Sequence, residues 1–183
     1  LLFDSSEMQI ELKKYKSIYK IDSLTQLFNR SELAEFLPIV EADNFYYYMG
    51  MFDLDFFKKV NDDFGHHFGD LVLRHTAEYL RYNLKIGSLD RIIRLGGEEF
   101  MVLIKLTVDE FDDISENISK RIIGFNDGNL SLSGGVVLWN TFETSFDLAY
   151  RECDKLLYKA KETGRRKILI RKQNGEFVTI TNE

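Results

Sequence analysis

The chain has 183 residues, 44% hydrophobic and 30% charged, with a formal net charge of -6, the size and balance of one globular domain that needs no disulfides or structural metal to hold its core. Its single cysteine excludes a disulfide framework or a zinc cluster and fits a reducing compartment, so a cytoplasmic location is expected. The acidic balance argues against tracking a nucleic-acid polymer, and without an apolar run near 18 residues this stretch is expected to make no membrane contact and to carry no signal peptide.

Leu1-Leu2-Phe3 stands where an initiator Met would, so the sequence reads as a piece of a longer protein. Met8, Leu12, Tyr15 and Tyr19 recur at helical spacing, predicting an N-terminal helical stem over 1–21. Two uses stay open for its apolar stripe: packing on its own domain, or serving as a dimer or signalling stem. A short helix is expected from Asn29 to Leu37, ending at Pro38. The run Phe45 to Phe52 reads as a strand buried on both faces and leads into Asp53-Leu54-Asp55. Two acids at the mouth of such a strand are costly unless paired, metal-bound or exposed.

After Gly69-Asp70 a helix is expected to about Leu84, followed by strands over 91–95 and 100–106 joined by a tight turn through Gly96-Gly97-Glu98-Glu99. Thr107 to Glu110 has the capping-box pattern, predicting a helix to about Phe125. A strand over 130–139, a helix from Phe146 to Gly164, and a strand or hairpin over 168–180 complete a mixed α/β order with antiparallel hairpins. Cys153 falls on the apolar stripe of the last helix and reads as a core residue.

The chemistry-bearing residues fall at strand ends and turns. If the strand ending at Asp53 and Asp55 neighbours the Glu98-Glu99 turn, the carboxylates converge on a site suited to Mg²⁺ completed by substrate phosphates and water. Gly96 and Gly97 would let a ligand approach the backbone there. Lys58 is a point-charge partner for phosphate; Asn61 can donate and accept at a base edge, and the carboxylate of Asp70 suits guanine's N1 and N2 donors. Lys161 and Arg165 lie four residues apart where the last helix ends. Each has a plainer use: Asn61 and Asp70 as turn or cap residues, the cations as solvated charge.

Taken in order, Asp22 to Arg30 (DSLTQLFNR), Asp53 to Asp62 (DLDFFKKVND), Gly65 to Asp70 (GHHFGD), Arg94 to Phe100 (RLGGEEF), Ser131 to Gly135 (SLSGG) and Ala160 to Arg165 (AKETGR) resemble the GGDEF domain of the diguanylate cyclase family. The resemblance implies an α/β (α+β) fold like that of nucleotide cyclases and polymerase palms, a central five-stranded, mostly antiparallel sheet flanked by helices. It implies a domain over 22–172, with 173–183 as a tail or short hairpin, and the stem as a link to an upstream sensory domain in a parent protein that could itself be membrane-anchored. The implied reaction condenses two GTP into cyclic di-GMP, releasing two pyrophosphates, in an antiparallel homodimer that could assemble through the N-terminal helix. Asp53, Glu98 and the backbone carbonyl of Leu54 would ligate Mg²⁺ or Mn²⁺, Glu99 standing beside them; Glu98, Asp53 and Lys58 would be catalytic. Asn61 and Asp70 would bind guanine; Lys58, Lys161, Arg165, Gly96 and Gly97 would hold the rest of GTP. Product-inhibited family members carry Arg-x-x-Asp five residues before GGEEF; here Asp90 is present but Gly87 stands at the Arg position, so that clamp is expected to be missing. The alternative is a silent GGDEF-like module that binds GTP and signals through protein contacts.

Overall fold

The structure, a computed structural model, describes residues 5–42, 44–125 and 130–181. In chain order the elements are α1 (Ser5–Tyr19), β1 (Phe28–Asn29), a 3-10 turn (Arg30–Glu32), α2 (Leu33–Ala42), β2 (Tyr46–Leu54), α3 (Phe57–Phe64), α4 (His66–Leu84), β3 (Arg91–Gly96), β4 (Glu99–Leu106), a 3-10 turn (Val108–Glu110), α5 (Phe111–Ile123), β5 (Leu132–Asn140), α6 (Phe146–Glu162), β6 (Lys167–Arg171) and β7 (Phe177–Thr181).

The strands form one sheet in the order β1-β3-β4-β2-β5-β6-β7. Among the described residues only the β1·β3 and β5·β6 pairs are parallel. The mostly antiparallel expectation therefore holds, but among the described residues the sheet has seven strands rather than five. Two-residue β1 pairs with β3 at one edge, and the C-terminal hairpin adds β7 at the other.

β2 lies at the centre, and its alternating side chains build two cores. Tyr48, Phe52 and Leu54 face α3, α4 and α5, packing with Leu73, Ala77, Leu80, Phe111 and Ile122. Tyr47, Met49 and Met51 face α2 and α6, packing with Phe36, Val40, Trp139, Cys153 and Leu157. The expectation of a strand buried on both faces is met, the strand running two residues further, through Asp53, than the apolar run alone indicated. Cys153 is a core residue, its thiol donating to the carbonyls of Met49 and Gly135.

Several predicted boundaries move. Pro38 lies inside α2 instead of ending it. Pro38 and Ala34, the carbonyl it leaves without a partner, are on the exposed face where water can serve, while Leu33, Phe36 and Val40 dock the opposite face. The helix expected after Asp70 begins at His66, preceded by α3, with Gly65 between the two. The Thr107 capping box opens a 3-10 turn, because the Thr107 hydroxyl bonds the Glu110 carboxylate rather than a backbone N–H. β5 starts at Leu132, two residues after its predicted start. Leu1-Leu2-Phe3 and the last two residues of the expected tail, 182–183, lie outside the described residues.

Along α1, Met8, Leu12, Tyr15 and Tyr19 are all exposed, by 57% to 68%. Of the two uses left open for the stripe, packing on its own domain is not the one observed. No described helix is long and apolar enough to cross a membrane.

α6 lies on β5 with almost no clearance at Gly135, where a Cβ would stand 2.3 Å from the Cys153 carbonyl oxygen and 2.5 Å from the Leu157 nitrogen. Because those are backbone atoms that cannot rotate away, Gly135→Ala is expected to cost about 3 kcal/mol, at the upper end of ordinary overpacking. Urea denaturation measures it; a loss below about 0.5 kcal/mol, the size of an ordinary surface change, would mean that α6 rides further from the sheet.

Candidate active site

The predicted acids meet at one end of the central strands. Asp53, at the end of β2, stands directly opposite Glu99 on β4 and Ser133 on β5. The next backbone N–H, that of Leu54, donates to the carbonyl of Glu98 at 3.3 Å, drawing the β3–β4 turn against the end of β2. Gly96 and Gly97 in that turn have φ of 151° and 51°, backbone that side-chain-bearing residues rarely adopt.

The turn is also held from behind. Arg94 donates from Nε and Nη2 to the carbonyl of Gly97 and pairs through Nη1 with Asp22 at 3.1 Å. Asp22 in turn accepts from the backbone N–H and hydroxyl of Thr25. Burial would raise the Asp22 carboxyl, but the Thr25 hydrogen bonds and Arg94 outweigh it and hold it below the usual carboxylate range. Sequence reasoning passed over this network, although an Asp followed three residues later by Thr is a local turn signature that could have found it.

Asp53 and Asp55, expected to act together, divide instead. Asp55 is 1% exposed and accepts from the Ser131 and Ser133 hydroxyls at 2.7 Å each and from the Arg166 N–H at 3.1 Å. Its donors are supplied, so it joins β2 to β5 and to the turn after α6 and does not join the acid cluster. Asp53 is 6% exposed, and its ion-pair partner is Lys161, 2.8 Å away. Burial raises its carboxyl to about 6 against the pull of Lys161, and the nearby charges of Glu98 and Glu99 push the same way. A desolvated carboxylate with two acidic neighbours and one cation is under-compensated, so the donor set fits a divalent ion. Among the described residues no three His, Cys, Asp or Glu side chains form a ready cage.

Lys161, at the end of α6, leaves a groove of about 310 Å³ shared with Glu99, Asp154 and Tyr158. A larger cavity, about 620 Å³, opens beside Tyr46 and Asn140, and none of the predicted residues line it.

α3 leads away from the acid cluster. Its cap, Phe56, has φ of 58°, and no side chain caps the helix start. Lys58 in the first turn is exposed. Asn61 lies one turn beyond Phe57, about 6 Å along the axis at the usual rise per residue. There it meets α4: a Cβ on Gly69 would fall 1.9 Å from the Asn61 Oδ1, so the missing side chain of Gly69 admits Asn61 beside Asp70. Both residues sit inside helices rather than in turn or cap positions. Arg165, in the turn after α6, places its guanidinium 4.7 Å from the Phe56 ring centroid. Neither Phe56 nor the Asp55 latch was singled out from sequence, though Ser131 and Ser133, alternating on one strand face, were a signal for the latch.

Residues 19–167 match the family described as diguanylate cyclase, GGDEF domain. The probable diguanylate cyclase DgcT of Escherichia coli (strain K12) is 31% identical over 171 residues, 87% of this chain and 37% of that protein. Diguanylate cyclase A of Treponema denticola is 30% identical over 173 residues, 90% of this chain and 43% of that protein. The chain thus spans less than half the length of either relative. Among solved structures, diguanylate cyclase SiaD in complex with its activator SiaC from Pseudomonas aeruginosa is 27% identical with a TM-score of 0.69, over 90% of this chain and 67% of that one. A microbial GGDEF domain with bis-(3′,5′)-cyclic di-GMP is 27% identical with a TM-score of 0.67, over 87% of this chain and 99% of that one.

The raised Asp53 carboxyl has a stability consequence. Between its unfolded value of 3.8 and its folded value of about 6 the native chain holds a proton that the unfolded chain has lost. That contribution is full below the window and is lost as pH rises through about 6. Without divalent ions, Asp53→Asn is therefore expected to raise the melting temperature at pH 8 and to bring little gain at pH 4. Melting curves at the two pH values check the sign.

Proposed function

The chain belongs to the diguanylate cyclase GGDEF family, and we propose that it condenses two GTP into cyclic di-GMP with release of two pyrophosphates. The observation that carries this reading is the buried, under-compensated Asp53, placed at the same strand end as Glu98 and the uncapped start of α3. Asp53, Glu98 and the carbonyl of Leu54 would hold Mg²⁺ or Mn²⁺. Bound there, the ion supplies Lewis acidity that offsets phosphate charge and eases loss of the ribose 3′-hydroxyl proton.

The chain's own residues account for the rest. The first-turn N–H groups of α3, which no side chain caps, would receive the phosphates, with Lys58 beside them. Lys161, released from Asp53 when that carboxylate takes the ion, can turn to the phosphates, and Arg165 closes the other side. These cations stabilise the pyrophosphate as it leaves. Asn61 and Asp70 meet the guanine edge one helical turn away, Asp70 accepting from the N1 and N2 donors. Glu98, though a weaker base when it ligates the ion, would receive the 3′-hydroxyl proton. The oxygen so exposed forms the new bond to the α-phosphorus of the second GTP, and the bond to pyrophosphate breaks.

One chain presents one such set, so the reaction calls for two chains face to face. The exposed stripe of α1 supports a homodimer assembled through that helix and coupled to an upstream sensory domain. The missing product clamp also has structural support. Asp90 gives one oxygen to the Gly87 N–H at 2.6 Å and the other to the Lys105 N–H at 2.8 Å, so its carboxylate is engaged in the chain's own loop.

The test is incubation with GTP and Mg²⁺ at high protein concentration, with products followed by mass spectrometry. Cyclic di-GMP is expected from the native chain, and Asp53→Asn and Glu98→Gln should each lower kcat by about 10²–10³. GTP binding without product, even from a chain forced to dimerise, would instead identify a silent GTP-binding module. Added cyclic di-GMP is expected to inhibit only by competing with GTP; inhibition that persists at saturating GTP would reveal a second product site.

A further inference from the structure

Phe56 is a large, apolar, 54% exposed residue held in left-handed backbone at φ 58°. That region is unfavourable for a bulky side chain and persists only where neighbours over-determine it. Here they do. On one side, the Leu54 N–H is bonded to Glu98 and the Asp55 N–H to Ser131. On the other, the Phe56 carbonyl accepts from Val60 in the first turn of α3. Phe56 must absorb the change of direction between strand and helix, and as a result its ring stands out at the helix start.

The turn after α6 meets it in an equally unusual conformation. Arg165 and Arg166 have φ of 62° and 53°. The Arg165 N–H donates to the Ala160 carbonyl at 2.9 Å, and the Arg166 N–H donates to the buried Asp55 carboxylate at 3.1 Å. These bonds fix the backbone of the turn and leave the Arg165 guanidinium resting on the Phe56 ring, 4.7 Å from its centroid.

The geometry points to Phe56 as a positioning residue that stacks the Arg165 guanidinium over the start of α3 and so pre-forms one side of the phosphate cradle. This rests on the reading of Arg165 as a phosphate ligand proposed above. An arginine free to sample its rotamers would have to be ordered when the nucleotide binds, and a ring face beneath a planar cation removes part of that cost in advance. The strained residue thus performs a second task besides turning the chain.

The experiment titrates the full chain with GTP and, separately, with guanosine, without divalent ions so that nothing turns over. Asn tolerates left-handed backbone and has no ring, so Phe56→Asn is expected to weaken GTP binding about two- to fivefold, the range of an exposed cation–π contact. Guanosine binding and the melting temperature should not fall. Phe56→Tyr should retain native GTP affinity, and in an Arg165→Met background Phe56→Asn should add no further loss. The proposal is overturned if Phe56→Asn weakens GTP and guanosine alike, or if its effect survives in the Arg165→Met chain, since the ring would then be touching the nucleotide itself. If Arg165→Met weakens GTP but Phe56→Asn does not, the positioning role alone fails. If Arg165→Met leaves GTP affinity unchanged, the phosphate reading of Arg165 falls and the positioning role with it.

Discussion

A carboxylate at the end of a strand covered on both faces has lost most of its hydration and must recover that free energy from protein donors or from a ligand. The end of β2 delivers two such groups two residues apart, Asp53 on the strand and Asp55 just past it, and the chain treats them differently. Asp55 receives two serine hydroxyls and a backbone N–H. Asp53 receives one lysine and two acidic neighbours. The first arrangement is self-sufficient and structural; the second leaves negative potential at the sheet end. Everything else at this end of the molecule is arranged around that imbalance.

The Asp55 latch makes the asymmetry possible. By joining the end of β2 to β5 and to the turn after α6, it brings Lys161 against Asp53 and Arg165 against Phe56. The Arg94 contacts with Gly97 and Asp22 do the same for the β3–β4 turn from the opposite side. Positive-φ residues gather here: Phe56, Gly96, Gly97, Gly164, Arg165 and Arg166. Such backbone is costly, and its concentration around the proposed site is how functional sites commonly hold groups in place. The two cores behind it, one on each face of β2, supply the rigidity that keeps this geometry from relaxing.

Much of this was legible in the sequence, for identifiable reasons. β2 announced itself because eight successive apolar and aromatic residues, from Phe45 to Phe52, have few other fates in a chain of this size. The β3–β4 turn was readable from Gly96-Gly97, and α6 from the spacing of Phe146, Ala149, Cys153 and Leu157. What failed were features with compensation elsewhere. Pro38 looked like a helix stop, but its lost hydrogen bond falls on the exposed side of a helix whose other face is docked. Thr107 looked like a backbone cap, but its hydroxyl found the Glu110 side chain first. Asp55 looked equivalent to Asp53, being two residues along the same stretch, and only its neighbours set it apart.

The sequence by itself determined the composition of each piece: the acids, the cations, the amide and the glycines, and the strand and helix periodicities that carry them, because periodicity and turn chemistry are local properties of the chain. It also determined the family, through ordered motifs running from Asp22 to Arg165. The tertiary structure alone decided which carboxylate is satisfied and which is left wanting, that Gly69 makes room for Asn61, and that Phe56 lies under Arg165, 109 residues along the chain. Those outcomes depend on contacts between residues far apart in sequence, and a buried polar group takes its character from whatever the fold sets beside it.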